Sequence, residues 1–144
     1  MANPATSASF RALLKEHGLK DTQSRRAVLQ ALQRLQKPAS PYDIQRWIHT
    51  KGGTINTVTV YRIIEAFERI GLVHRHPCDG HLSLCSIPEK KGHHGFLHCT
   101  SCGTTQEFHD EALCKAEERI ARALKFRSST HVSEILGICA ACAA

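Results

Sequence analysis

Two Cys-x-x-Cys pairs constrain the fold of this chain more than any other feature. The pairs are Cys99 with Cys102 and Cys139 with Cys142, and 36 residues separate them. In each turn both sulfurs can point at one centre, so two turns supply the four thiolates that a structural zinc prefers. A redox motif needs one pair and no second copy. We therefore predict a four-cysteine zinc site that closes a small module.

The length and the cysteine count agree with such a module. A chain of 144 residues can contain two small cores if the lesser one is cross-linked. The cysteine count is odd, at 7, which favours thiolate ligands in a reducing compartment over disulfides. The start of the chain lacks an apolar run behind a basic leader, and no window reaches membrane-spanning length. We expect a cytoplasmic protein with no membrane partner.

Charge is distributed unevenly between the two parts of the chain. Residues 1–84 contain 12 Lys and Arg against 6 Asp and Glu, whereas residues 85–144 contain 7 of each kind. The basic excess therefore lies entirely in the N-terminal part. It indicates a polyanionic partner for that part.

The N-terminal part reads as short helices with tight connections. The segments "SRRAVLQALQRL", "PYDIQRWIHT" and "NTVTVYRIIEAFERIG" each repeat apolar residues at the spacing of one buried helix face. Ser40 and Asp43 form a capping signature at the start of the second segment. The third segment carries a polar and basic outer face. A third helix of this kind is what a helix-turn-helix presents to the major groove, although any solvated helix has a polar face. We assign DNA contacts to Thr57, Thr59, Tyr61 and Arg62.

The segment "LVHRHPCDGHLSLC" predicts a β-hairpin whose loop is residues 77–80. Three helices and a hairpin make a winged helix, in which the wing lies against phosphate, and Arg75 is the expected contact there. In this register His74 faces Ser83, and Cys85 lies on the same sheet face as His74. One side of the hairpin is therefore rich in metal donors.

The chain resembles the ferric uptake regulator family of metal-responsive repressors. The resemblance rests on "DTQSRRAVLQAL", "TVYRIIEAFERIGLVHRH", "GHHGFLHCTSCG" and the final "CAAC", which occur in the family's order and spacing. It implies an α+β fold with an N-terminal winged helix-turn-helix over residues 1–84. It further implies a hinge at about 82–95 and a small α/β dimerisation domain with a four-cysteine zinc site over residues 85–144. It also implies a homodimer on a palindromic double-stranded DNA operator.

By this resemblance, Tyr61 and Arg62 match the Tyr-Arg pair of the family's recognition helix, and the four paired cysteines match its structural zinc site. The resemblance also implies a regulatory metal site in the hinge, formed by His74, Cys85, His94 and Glu107. Two imidazoles, a thiolate and a carboxylate suit tetrahedral zinc better than six-coordinate iron or manganese. The thiolate resembles the zinc uptake regulator branch. We therefore expect two zinc ions per subunit and a zinc-responsive repressor of zinc uptake genes.

Alternatives remain at the regulatory site and for the regulated metal. His76, His81 or His93 can replace a named histidine, and a third site can use His93, Cys114 and His131, unless Cys114 is simply buried. An iron- or peroxide-responsive regulator of the same family is the alternative function. Against iron, "LQKPASPYD" lacks the histidine that iron-type members carry there. The signatures of zinc deaminases, phosphate loops and serine hydrolases are not found in the sequence, and we expect no enzyme.

Overall fold

Helices dominate the first part of the chain, and a three-stranded sheet dominates the second. The computed structural model describes residues 7–87, 94–128 and 132–144. The chain divides into two compact units, Met1–Pro88 and Glu89–Ala144. The fold is α+β, as the sequence predicts. Among the described residues, no helix has both the length and the apolar character needed to cross a membrane.

Four helices and a hairpin build the first unit, and side-chain caps fix where its later helices begin. Thr22, Ser40 and Asn56 each accept a hydrogen bond from the backbone N–H three residues on, at the start of the second, third and fourth helix. Ser40 and Asp43 form the predicted capping box. The elements are α1 (Ser7–Glu16), α2 (Gln23–Leu35), α3 (Pro41–Thr50), α4 (Thr57–Arg69), β1 (Val73–Arg75) and β2 (Leu82–Leu84).

Helix α1 is absent from the sequence interpretation, which begins the helices at α2. Its Phe10 and Leu14 are buried in the core of the first unit. The Phe10 ring meets the Phe67 ring edge-on, with centroids 5.8 Å apart. Packing against α4 therefore stabilises a segment whose own pattern is too short to stand out.

The apolar stripes predicted for the next three helices form this core. Val28, Ile44, Val60 and Ile64 are fully buried, as is Phe67. They come from α2, α3 and α4, so the three helices bury one common set of side chains. The helix-turn-helix is thereby held on a rigid support.

The hairpin has the predicted register, with His74 opposite Ser83. Its turn is closed by hydrogen bonds from the His76 N–H to the His81 carbonyl and from the Gly80 N–H to the His76 carbonyl, both 2.8 Å. Ala39, which lies between α2 and α3, exchanges two backbone hydrogen bonds of 2.9 Å with Leu82. The base of the wing is therefore joined to the helical core.

The second unit contains a three-stranded sheet whose central strand, Gly95–Cys99, is antiparallel to Thr105–Phe108 on one side and parallel to Ser133–Gly137 on the other. Asp110 caps the N-terminus of the longer helix of this unit, and Leu124 is its C-terminal cap. The elements are β3 (Gly95–Cys99), β4 (Thr105–Phe108), α5 (Glu111–Ala123), β5 (Ser133–Gly137) and α6 (Ala140–Ala143).

Little of the second unit is buried within one copy of the chain. Among its described residues the buried apolar side chains are Phe96 and Cys99. Helix α5, described over its whole length, has no buried residue. The large exposed apolar side chains of this unit are Leu97, Ile120, Leu124, Phe126, Val132, Ile135, Leu136 and Ile138.

Candidate metal and DNA-binding sites

The parallel pairing of β3 with β5 brings the two cysteine pairs together. Cys99 ends β3 opposite Gly137, and the Thr100 N–H donates to the Gly137 carbonyl at 2.8 Å. Cys139 follows two residues later, and its backbone N–H lies 3.3 Å from the Cys99 sulfur. The sheet thus joins two turns that are 36 residues apart in the sequence.

The four sulfurs have the spacing that a tetrahedral zinc requires. The Sγ atoms of Cys99, Cys102, Cys139 and Cys142 all lie within 4.8 Å of one another. Those of Cys102 and Cys139 are 3.8 Å apart. Zinc–sulfur bonds of about 2.3 Å place tetrahedral ligands about 3.8 Å from each other. All seven cysteines lie in the described parts of the chain and none forms a disulfide, so the four residues fit a zinc site with four thiolate ligands.

The surroundings of these thiols favour thiolates at the first pair. Hydrogen bonds from the backbone N–H groups of Cys102 and then Cys139 lower the pKa of Cys99 to about 6. Hydrogen bonding with Thr104 lowers the pKa of Cys102. Ser101 lowers the pKa of Cys142, but the neighbouring sulfurs raise it more, to about 11. The cluster therefore retains a proton on Cys142 unless a cation offsets the charge of its sulfurs.

The hairpin of the first unit holds two of the residues assigned to the regulatory site. Cys85 directly follows β2, its N–H donates to the Leu72 carbonyl at 2.9 Å, and its side chain is buried. His74 is half-buried in β1. The hairpin thus carries an imidazole and a thiol at positions fixed by backbone hydrogen bonds.

The alternative histidines of the hairpin have other partners. His76 is buried, and its Nε2 lies 2.9 Å from the Ser83 hydroxyl. The Nδ1 of His81 lies 2.8 Å from a carboxylate oxygen of Asp79. Both imidazoles therefore lie in side-chain contacts within the hairpin, and His93 lies outside the described residues.

The second unit holds the other two residues assigned to the regulatory site. The Nδ1 of His94 lies 2.5 Å from the Oε1 of Glu107, and both side chains are almost completely buried. His94 directly precedes β3 and Glu107 lies in β4, so the antiparallel pair of strands brings them together. A buried imidazole and carboxylate in contact are a suitable pair of donors for zinc. For the suggested third site, Cys114 is half-buried, and His93 and His131 lie outside the described residues.

The amide side chain of Gln45 ties the turn before α4 to α3. The Gln45 amide nitrogen donates to the Ile55 carbonyl at 2.9 Å, and the Thr57 hydroxyl donates to the Gln45 amide oxygen, also at 2.9 Å. The Asn56 side chain accepts from the Thr59 N–H at 2.8 Å. Thr57 thus uses its hydroxyl hydrogen within the chain, and Gln45, which no local sequence signal marks, orients the turn before α4.

The exposed face of α4 carries Tyr61 and Arg62. The Tyr61 ring meets the Tyr42 ring of α3 edge-on, with centroids 6.5 Å apart, and Tyr42 is itself well exposed. The guanidinium of Arg75, the expected phosphate contact on the wing, pairs with Glu68 of α4 at 2.9 Å. No local sequence signal links Tyr42 to Tyr61 or Glu68 to Arg75, since both contacts depend on how separate elements pack.

The sequence profile of the ferric uptake regulator family matches residues 16–136 of this chain, most of its length. The chain belongs to the ferric uptake regulator family. It is therefore a metal-responsive transcriptional regulator with a winged-helix DNA-binding unit and a dimerisation unit.

Relatives of this family align over most of the chain. The ferric uptake regulation protein of Legionella pneumophila is 35% identical over 130 residues, covering 90% of this chain and 95% of that protein. That of Escherichia coli strain K12 is 32% identical over 128 residues, covering 88% of this chain and 86% of that protein.

Solved structures of the family superpose on the chain to different extents. The crystal structure of holo XcZur is 27% identical, with a TM-score of 0.86 over 94% of this chain and 95% of that one. The ferric uptake regulator of Vibrio cholerae is 28% identical, with a TM-score of 0.58 over 90% and 99%. A zinc uptake regulator complexed with zinc and DNA, at 22% identity, shares the fold, with a TM-score of 0.88 over 96% and 97%.

Proposed function

We propose that this chain is a zinc-responsive repressor of zinc uptake genes that binds palindromic operators as a cytoplasmic homodimer. It takes up two zinc ions per subunit, a structural one at the four-cysteine cluster and a regulatory one in the hinge. The winged-helix unit reads double-stranded DNA, and Thr57, Thr59, Tyr61 and Arg62 of α4 contact it. The basic excess of residues 1–84 supplies the attraction for phosphate.

The buried thiol of Cys85 is the observation that supports zinc most strongly. It stands on the wing near His74, and we propose that these two donors join His94 and Glu107 around one ion. A shell of two imidazoles, a thiolate and a carboxylate is soft enough for zinc and lacks the six oxygen and nitrogen donors that suit manganese. The likeness to the solved structure of holo XcZur, at 27% identity over 94% of this chain, supports placing the chain in the zinc uptake regulator branch.

Residues on both sides of the hinge explain how metal controls DNA binding. Zinc, when bound, supplies a dication that stabilises the arrangement in which all four donors meet. In that arrangement the wing donors His74 and Cys85 hold the DNA-binding unit at a fixed position on the dimerisation unit. The two α4 helices of the dimer then match successive major grooves. Because the coupling is reciprocal, operator DNA tightens zinc binding by the factor by which zinc tightens DNA binding.

The names of the curated relatives favour a second candidate, an iron-responsive regulator of the same family. The Legionella pneumophila and Escherichia coli relatives are both ferric uptake regulation proteins. Under this alternative Cys85 is a bystander, and a different donor set binds Fe(II).

One experiment distinguishes the zinc-responsive regulator from the iron-responsive one. Operator affinity is measured with the zinc of the four-cysteine cluster retained while free zinc, Fe(II) and Mn(II) are buffered separately, using a palindromic duplex selected by the protein. We expect zinc alone to tighten binding, and Cys85→Ala to abolish this response without unfolding the protein. Cys78→Ala, at an exposed cysteine of the same hairpin, is the matched control. Tightening by Fe(II) or Mn(II) that survives Cys85→Ala would establish the alternative.

A further inference from the structure

Arg75 and Glu68 form a two-point contact between the wing and α4. The Nε of Arg75 donates to the Oε1 of Glu68 at 3.0 Å, and a terminal nitrogen donates to Oε2 at 2.9 Å. Two parallel charge-assisted bonds of this kind fix the angle as well as the distance between their partners. Glu68 lies in the last turn of α4, and Arg75 is the last residue of β1.

The same guanidinium also reaches the turn of the hairpin. Its other terminal nitrogen donates to the Gly80 carbonyl at 3.2 Å. Gly80 in turn donates to the His76 carbonyl, so this contact supports the closing bond of the turn. One side chain therefore links the last turn of α4, the strand β1 and the tip of the wing.

The charge balance at this position differs from that of a phosphate contact. The Arg75 side chain is 39% exposed and that of Glu68 is 27% exposed, so the pair is partly shielded from water. The Glu68 carboxylate, bound to two donors of the guanidinium, neutralises the positive charge by which Arg75 would attract a phosphate. Arg75 directed at phosphate would leave Glu68 close to the DNA backbone with its own charge uncompensated.

We propose that Glu68 and Arg75 are positioning residues for DNA binding, which hold the wing at the angle to α4 at which both elements meet the duplex. This inference rests on the proposed DNA-binding function of the first unit. The pair sets the geometry in advance, so that binding need not order the wing. The expectation that Arg75 contacts phosphate is the competing interpretation.

Glu68→Gln and Arg75→Gln separate the two roles, with operator affinity measured over a range of salt concentrations. For positioning residues we expect both variants to weaken binding by a similar factor of about 5 to 10. The double variant is expected to bind no more weakly than either single variant, and the salt dependence stays unchanged. If Arg75 contacts phosphate, the two variants change operator affinity in opposite directions, because Glu68→Gln then tightens binding and Arg75→Gln weakens it. Arg75→Gln also reduces the magnitude of the slope of log affinity against log salt by about 0.9.

Arg75→Lys sharpens the comparison, because lysine keeps the charge and loses the two-point geometry. We expect it to weaken binding about as much as Arg75→Gln. Affinity and salt slope near those of the wild type would overturn the proposal. Glu65→Gln, which removes an exposed acidic charge one turn earlier in α4, measures the effect of charge removal without a change to the pair.

Hydrogen exchange provides a readout that needs no DNA. Glu68→Gln is expected to raise exchange several-fold at the His76 and Gly80 amides, with α2 and α3 unchanged. Unchanged exchange together with unweakened operator binding would overturn the positioning role. A wild-type protein that binds no DNA under any metal would instead refute the proposed function, while the exchange result would still report on the pair.

Discussion

The two units differ in how they bury apolar surface. In the first unit, side chains from four helices and the wing share one core, and Leu14, Ile44 and Phe67 are completely buried. Among the described residues of the second unit, the buried apolar side chains are Phe96 and Cys99, while Ile135 and Leu136 remain more than half exposed. The first unit can therefore be stabilised by its own chain. The second needs a cross-link and a covering partner, which we propose are zinc and a second copy.

The largest effect is expected from loss of the four-cysteine cluster. Cys99→Ala removes a buried ligand, and structural zinc in small domains contributes about 10 kcal/mol or more to folding. We expect the second unit to lose its fold and the dimer to dissociate, while α1 to α4 stay helical. Hydrogen exchange by unit and the bound zinc content check this. Cys114→Ala, at a half-buried cysteine of the same unit, is the control. Equal hydrogen-exchange protection of the second unit in both variants would contradict its dependence on zinc.

Phe67→Ala tests the opposite side of the comparison. Phe67 is fully buried and packs on Phe10 at 5.8 Å, so its removal leaves a cavity in the core of the first unit. We expect a loss of about 3 to 5 kcal/mol in the free energy of unfolding of that unit. Denaturant-induced unfolding, followed by a signal from the first unit, measures this loss. Zinc content and dimerisation should not change, and a loss of either would show that the two units are not independent.

Exposed apolar residues of the sheet should affect assembly more than folding. Leu97 and Ile135 are paired across β3 and β5 and are 41% and 55% exposed. Ile135→Thr keeps a β-branched residue in the strand and removes apolar surface. We expect the dissociation constant of the dimer to rise about tenfold, from the lost burial of one large side chain. Analytical ultracentrifugation measures it, with Gln106→Thr in β4 as the control. An unchanged constant would place the dimer interface elsewhere.

Local signals made much of this architecture predictable. The Ser40 cap, the hairpin register at His74 and the convergence of the four paired cysteines all follow from short-range patterns. A Cys-x-x-Cys turn has few conformations, and zinc requires two such turns to meet, so 36 intervening residues do not weaken the inference. The apolar spacing of α2, α3 and α4 likewise predicts which faces are buried.

Contacts that depend on packing between elements were not predictable. Helix α1 forms because Phe10 and Leu14 meet a core supplied by later residues. Gln45 reaches Thr57, and Glu68 reaches Arg75, only once the rotation of each helix is set by the apolar faces beneath it. The sequence therefore places Arg75 on the wing correctly, but it cannot show that Glu68 meets it.

The smallest effect is expected from the capping box of Ser40 and Asp43. It tests whether the stability of the first unit depends on acid pH independently of the second unit. The Ser40 hydroxyl, followed by its backbone N–H, holds the pKa of Asp43 below its usual value. Since the lowered pKa belongs to the folded state, the contribution of Asp43 is present above about pH 4 and is lost as pH falls through the folded-state pKa. We expect Ser40→Ala to cost about 1 kcal/mol at neutral pH.

We further expect Asp43→Asn to remove the corresponding acid dependence from the first unit alone. Unfolding of each unit between about pH 6 and pH 3, followed by hydrogen exchange, measures it. Asp110→Asn is the control in the second unit, where the Asp110 carboxylate accepts from the Leu113 N–H at 2.8 Å and caps α5, and it should leave the acid dependence of the first unit unchanged. If Asp43→Asn altered the acid dependence of both units equally, the two units would unfold as one cooperative structure. The contrast between a self-supporting first unit and a cross-linked second unit would then fail.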